Sequence, residues 1–218
     1  MEINWLGASC FRIRSRDDAT ILTDIYSAEG GLPRGAQADI VTVSNPSMAE
    51  SLPAVAAAHS AETGSDQPVV VFRPGEYEIR DVLMTAVRTY RDSTKGADLG
   101  QNIVFLMETE GLTICHLGEI GHLPSTDQVA LLGRVDILLV PVSTPGGLTP
   151  AKAAEVVNLI GPKVVVPMTS VGGDDDHLAT FLKEMGAAEA QPQPRLTISR
   201  NALPEVTTVT LLEGRRQT

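Results

Sequence analysis

Apolar and polar positions change their period part-way along the chain. The first half is made of short β-branched runs and alternations, the pattern of strands. Strands are expected at Met1–Leu6, Cys10–Arg14, Ala19–Thr23 and Ile40–Ser44. A helical run over Met48–Ser60, interrupted by Pro53, comes next. Strands resume at Val69–Phe72, Glu76–Ile79 and Val82–Arg88. Asn102–Glu108 and Leu112–His116 read as a hairpin turning at Glu110-Gly111. The second half alternates strand with helix. Ser125 followed by Gln128 is a capping-box pattern. Ile137–Val140 is a continuous apolar strand. Thr149-Pro150 opens a helix with Ala153, Val156, Val157 and Ile160 on one face, and Gly161-Pro162 stops it. Lys163–Pro167 is a strand, Asp174–Asp176 start a helix running to Met185, and Leu196–Ser199 and Thr207–Leu212 are the last strands. Strands first and strand–helix alternation second predict one α/β domain over residues 1–218, two sheets packed together with helices outside.

Composition narrows the function classes. The chain has 218 residues, 43% hydrophobic and only 4% aromatic, so its core is built from aliphatic side chains. A net charge of −10 repels phosphate backbones and argues against nucleic-acid partners. No apolar stretch is long enough to span a bilayer. Cys10 and Cys115 sit in apolar surroundings, which suits buried free thiols and a cytoplasmic setting. Glu76 and Glu78 share a strand face and are expected to hydrogen-bond a nearby turn. Asp174-Asp175-Asp176-His177 reads as a carboxylate-rich helix start rather than a metal site.

Several segments carry a family resemblance. Trp5-Leu6-Gly7-Ala8-Ser9-Cys10-Phe11, Leu22-Thr23-Asp24, Pro74-Gly75-Glu76-Tyr77-Glu78, Gly100-Gln101-Asn102, Ile114-Cys115-His116-Leu117-Gly118-Glu119 and Val166-Pro167-Met168-Thr169 follow one another along the chain. In that order they resemble the metallo-β-lactamase-fold hydrolases, in particular their ascorbate-phosphate-lactonase-like branch. The resemblance implies a four-layer αββα sandwich, two mixed β-sheets flanked by helices. It also implies a place where such proteins hold two metal ions through a His-x-His-x-Asp-His motif. Here Asn45, Ser47, Ala49 and Glu50 stand at those four positions. Arg91 stands for a histidine, Glu119 for the bridging aspartate and Thr169 for the last histidine, while Ala8 replaces a further frequent histidine. Arginine cannot ligate a metal and brings a fixed positive charge.

The vestigial pocket expected from this resemblance comprises Asp24, Asn45, Ser47, Ala49, Glu50, Arg91, Asp92, His116, Glu119, His122 and Thr169. Asp24 is expected to orient the ligand loop through hydrogen bonds. Arg91 is left to pair with Asp92, Glu119 or Glu50. No cofactor is expected. The alternative is one divalent ion, Zn or Mn, for which Glu50, His116, Glu119 and His122 are the candidate ligands. Function is expected to be non-catalytic, by binding, in a homo-oligomer or with another protein, and without nucleic acid or membrane. Two alternatives stand beside it: a divergent metal-dependent hydrolase with a rebuilt or mononuclear site, and a sensor of small anions anchored by Arg91.

Overall fold

A computed structural model describes residues 1–16, 19–25, 38–49, 67–143, 147–169 and 175–214. The strands, in chain order, are β1 (Glu2–Gly7), β2 (Cys10–Arg14), β3 (Thr20–Thr23), β4 (Ile40–Thr42), β5 (Val69–Val71), β6 (Gly75–Ile79), β7 (Val82–Tyr90), β8 (Gln101–Thr109), β9 (Leu112–His116), β10 (Ile137–Ser143), β11 (Val164–Thr169), β12 (Leu196–Thr197) and β13 (Thr208–Val209). The helices among the described residues are α1 (Thr126–Leu132), α2 (Pro150–Ile160) and α3 (Asp175–Glu184).

Two mixed sheets result. One runs β12-β1-β2-β3-β4-β5 and the other β13-β11-β10-β9-β8-β7-β6. In each, antiparallel strands give way to parallel ones: β3, β4 and β5 are parallel in the first, and β9, β10, β11 and β13 in the second. Side-chain alternation sorts the core into layers. On β8, Ile103, Phe105 and Met107 join Ile3, Ile13 and Ile21 between the sheets. Val104 and Leu106 point the other way, with Cys115, Leu138 and Val165, onto Val156 and Val157 of α2 and Phe181 of α3. Leu22, Val41 and Val43 line the outer face of the first sheet, where Met48 and Ala49 pack. The predicted two-sheet α/β sandwich with flanking helices is therefore the fold.

The differences from the sequence reading lie at the element ends. The expected helical run from Met48 begins as a single 3-10 turn, Pro46–Met48, and beyond Ala49 it lies outside the described residues. Asn45 forms that turn by accepting the Ser47 N–H on its own side chain. The strand expected over Thr207–Leu212 pairs regularly only at Thr208–Val209, beside the first two residues of β11. Among the described residues no helix is long and apolar enough to cross a membrane.

Candidate functional site

The parallel strands deliver their carboxyl ends to one rim of the sandwich, the usual location for ligands in such sheets. Asp24 follows β3, Ser44 and Asn45 follow β4, Arg91 follows β7, and His116 ends β9 with Glu119 three residues on. At the rim a backbone bond ties the two sheets together, Ile103 N–H to the Ser44 carbonyl at 2.7 Å.

Asp24 is fully buried in a left-handed conformation, φ 44°. Its carboxylate accepts the Ser44 N–H at 2.7 Å and the Ser44 hydroxyl at 2.6 Å, which fixes where the Asn45–Ala49 segment begins. Asn102 does the same for the opposite sheet. It donates to Thr89 Oγ1 and the Leu117 carbonyl and accepts the Glu119 N–H at 2.9 Å. The turn it holds needs glycine at 118, with φ +59°, since a Cβ there would overlap the Ser44 side chain. Gly121 is under the same constraint, against the Arg91 carbonyl. Sequence reasoning assigned no role to Ser44, Asn102, Gly118 or Gly121. Asn102 left a legible signal, a polar residue opening a strand that is otherwise apolar at both faces.

The turn presents Glu119 to Arg91. Arg91 Nε lies 2.6 Å from Glu119 Oε2, and the guanidinium also donates to the Leu99 carbonyl at 3.0 Å. The contact is a close, partly buried ion pair. Burial raises the Glu119 carboxyl above its ordinary pKa, Arg91 pulls it back down, and the Asp24 charge raises it further. Of the three pairings left open to Arg91, this is the one the structure holds. Asp92 turns away instead. Its two oxygens accept the N–H groups of Thr94, Gly96, Asp98 and Leu99, so it organises the β7–β8 connection rather than the pocket.

The two histidines differ. His116 is wholly buried, with Nε2 3.0 Å from the Ser9 carbonyl and its ring edge-on to Phe11. Nδ1 has no hydrogen-bond partner. Burial lowers its pKa to about 4, against a smaller raising effect of the Ser9 carbonyl. His122 has both nitrogens occupied: Nε2 accepts the Tyr90 N–H and Nδ1 donates to the Leu123 carbonyl. It is a structural clamp, which corrects its candidacy as a ligand.

The remaining expected residues gather less closely. Ser47 is exposed, Ala49 packs in the outer apolar layer, and Thr169 ends β11. Glu50, His59 and Asp174 lie outside the described residues. Glu76 and Glu78 are solvent-exposed on β6, and the expected bonds to a turn are not made; Tyr77 between them bonds the Arg73 carbonyl instead.

A metal centre needs several nitrogen, sulfur or carboxylate donors converging at about 2 Å. Among the described residues no three His, Cys, Asp or Glu side chains converge in that way. Among the described buried donors at the rim, His116 Nδ1 and Glu119 Oε2 are without a hydrogen bond, and the latter already faces a guanidinium. These residues do not by themselves fit a dinuclear centre.

Comparison with known proteins adds what geometry cannot. Residues 2–169 match the family model of the β-lactamase superfamily domain. A UPF0173 metal-dependent hydrolase from Myxococcus xanthus is 24% identical, over 87% of this chain and 74% of its own. A UPF0173 protein from Pyrococcus abyssi is 27% identical, over 77% and 82% respectively. A Thermotoga maritima crystal structure, assigned as a Zn-dependent hydrolase of the metallo-β-lactamase superfamily, superposes with a TM-score of 0.72 at 28% identity, covering 98% of this chain and 99% of that one. The expectation of a non-catalytic protein acting by binding is overturned by the Myxococcus xanthus and Thermotoga maritima relatives, which are named as hydrolases. The expectation of no cofactor has no support from them either, since their names speak of metal dependence. That reading counted missing ligands in a single sequence, and such a count speaks only to one way of activating water.

Proposed function

Because this chain belongs to the β-lactamase superfamily domain family, we propose that it is a divergent hydrolase of that superfamily, working at the rim pocket where Arg91 meets Glu119. The observation that carries the reading is that ion pair, 2.6 Å long and partly buried beside Asp24 and His116. Hydrolysis of an ester-type bond needs a base for the attacking water and positive charge where the oxyanion develops. Burial raises the Glu119 carboxyl above its ordinary pKa and makes its carboxylate a stronger proton acceptor, which makes Glu119 the base. The Arg91 guanidinium supplies permanent charge beside it. Water attacks the acyl or phosphoryl centre, its proton passes to Glu119, and that proton leaves with the departing alcohol. The names of the relatives, metal-dependent in one case and Zn-dependent in another, make a metal ion the cofactor to look for. No step above depends on it.

The test is turnover of an ester, a lactone and a phosphodiester by the purified protein, with elemental analysis of the same sample. The expected result is hydrolysis of at least one class, and a fall in kcat of about 100-fold or more in Glu119→Gln, the usual scale for losing a general base. Turnover of none of the three, or a Glu119→Gln protein as fast as the parent, refutes the reading. One ion per chain in the elemental analysis would add a mononuclear cofactor.

A further inference from the structure

A cavity of about 450 Å³ opens where the two sheets part, beside the rim pocket. Pro46, Phe72, Pro74 and Ile103 make an apolar floor, and Gln101, Arg73 and Arg88 are the polar groups. The elements explain the arrangement. On β7, Val82, Met84 and Ala86 face the space between the sheets, so Arg88 continues that face at the open end, paired with Ile103 of β8. Phe72-Arg73-Pro74 is the crossing from β5 of one sheet to β6 of the other. It brings Arg73 to the mouth, its guanidinium 5.1 Å from the Phe72 ring centroid.

Among the described residues neither guanidinium has a polar partner. Arg12, Arg16, Arg80, Arg91, Arg134 and Arg195 all lie against carboxylates, as expected in a chain of net charge −10. Arg200 bonds the Gly111 carbonyl. Among the described residues no carboxylate or carbonyl engages the side chain of Arg73 or Arg88. Two unneutralised cations over an apolar floor, in a cavity of small-molecule size, are complementary to an oxyanion on a compact apolar body. Arg91, the anchor suggested by sequence, is already committed to Glu119.

We propose that this cavity is the recognition subsite for a substrate's anionic group, a phosphate or carboxylate, gripped by Arg73 and Arg88. The proposal rests on the hydrolase reading for the word substrate. Its position supports that link, because Pro46 of the floor directly follows the Ser44-Asn45 segment that Asp24 fixes at the rim.

Binding tests it without turnover. Phenyl phosphate, benzoate and the neutral benzyl alcohol are titrated by calorimetry into the full chain, into the double variant Arg73→Gln/Arg88→Gln and into Glu119→Gln. One or both anions should bind the parent, the better one naming the group, while benzyl alcohol binds at least 10-fold more weakly. The double variant should lose 10-fold or more in anion affinity with an unchanged melting temperature, both arginines being exposed. Glu119→Gln should bind as the parent does, even if its hydrolysis is lost. Equal anion binding by parent and double variant, or no anion binding by the parent, overturns the proposal. Unimpaired hydrolysis by Glu119→Gln overturns only the reading of the rim pocket.

Discussion

Protonating His116 would place a charge in a space with no solvent contact. Asp24 Oδ2 is 4.0 Å away, but that carboxylate is already engaged by Ser44, and burial dominates. The imidazole pKa drops from 6.5 to about 4. Between those values the native state holds fewer protons than the unfolded chain, so the contribution to stability is complete above pH 6.5 and drains as pH falls toward 4. At roughly 1.4 kcal/mol per unit the loss amounts to about 3 kcal/mol. Urea-denaturation midpoints measured from neutral pH downward should fall through this window, and His116→Gln should flatten that part of the profile. A parent protein equally stable at both ends of the window would show that His116 is not titrating in a dry site.

The connection between β7 and β8 shows how one side chain can organise an element. Burial works against the Asp92 carboxylate, yet the N–H groups of Leu99 and Gly96, followed by Thr94, hold its pKa well below the usual range. It thereby serves as the hub on which residues 93–99 fold back, and the Leu99 carbonyl so placed receives Arg91. Asp92→Ala should leave the sheets intact while amide hydrogen exchange quickens at Gly96, Asp98 and Leu99, and Arg91 should lose its second tether. Unchanged protection of those amides would mean that the turn forms without the hub. The sequence did not disclose this role, because a carboxylate beside an arginine looks like half of a salt bridge until the loop's backbone is in place. Elements with local punctuation were legible. The capping box of Ser125 and Gln128 and the Thr149-Pro150 and Gly161 boundaries of α2 are where the pattern put them. Ends set by a neighbouring strand, as at Thr208–Val209, carry no such local mark.

At the scale of the whole molecule, the layering was legible because strand alternation records which face each residue serves. The chemistry was less so. Ligand identities at 45, 47, 49, 91, 119 and 169 could be read singly, but the pairing of Arg91 with Glu119 and the unpaired state of Arg73 and Arg88 exist only after folding. The two thiols follow the same logic. Cys10 belongs to the outer face of the first sheet and Cys115 to the helix-covered face of the second. Both are free and buried, and burial raises both above the ordinary thiol pKa, the Asp24 charge adding to the effect at Cys10. Thiolate is the reacting form, so neither thiol should react with Ellman's reagent in the native protein. Both should react in denaturant, with no disulfide recovered. The two layers lie on opposite outer faces, with both sheets and the core between them, so both thiols become exposed at one urea concentration if the sandwich opens as a unit. Labelling in intermediate urea should therefore follow the loss of circular dichroism at both positions. Cys10 reacting while the signal is still native would reveal that the first sheet sheds its outer cover on its own, and that the sandwich is not one cooperative body.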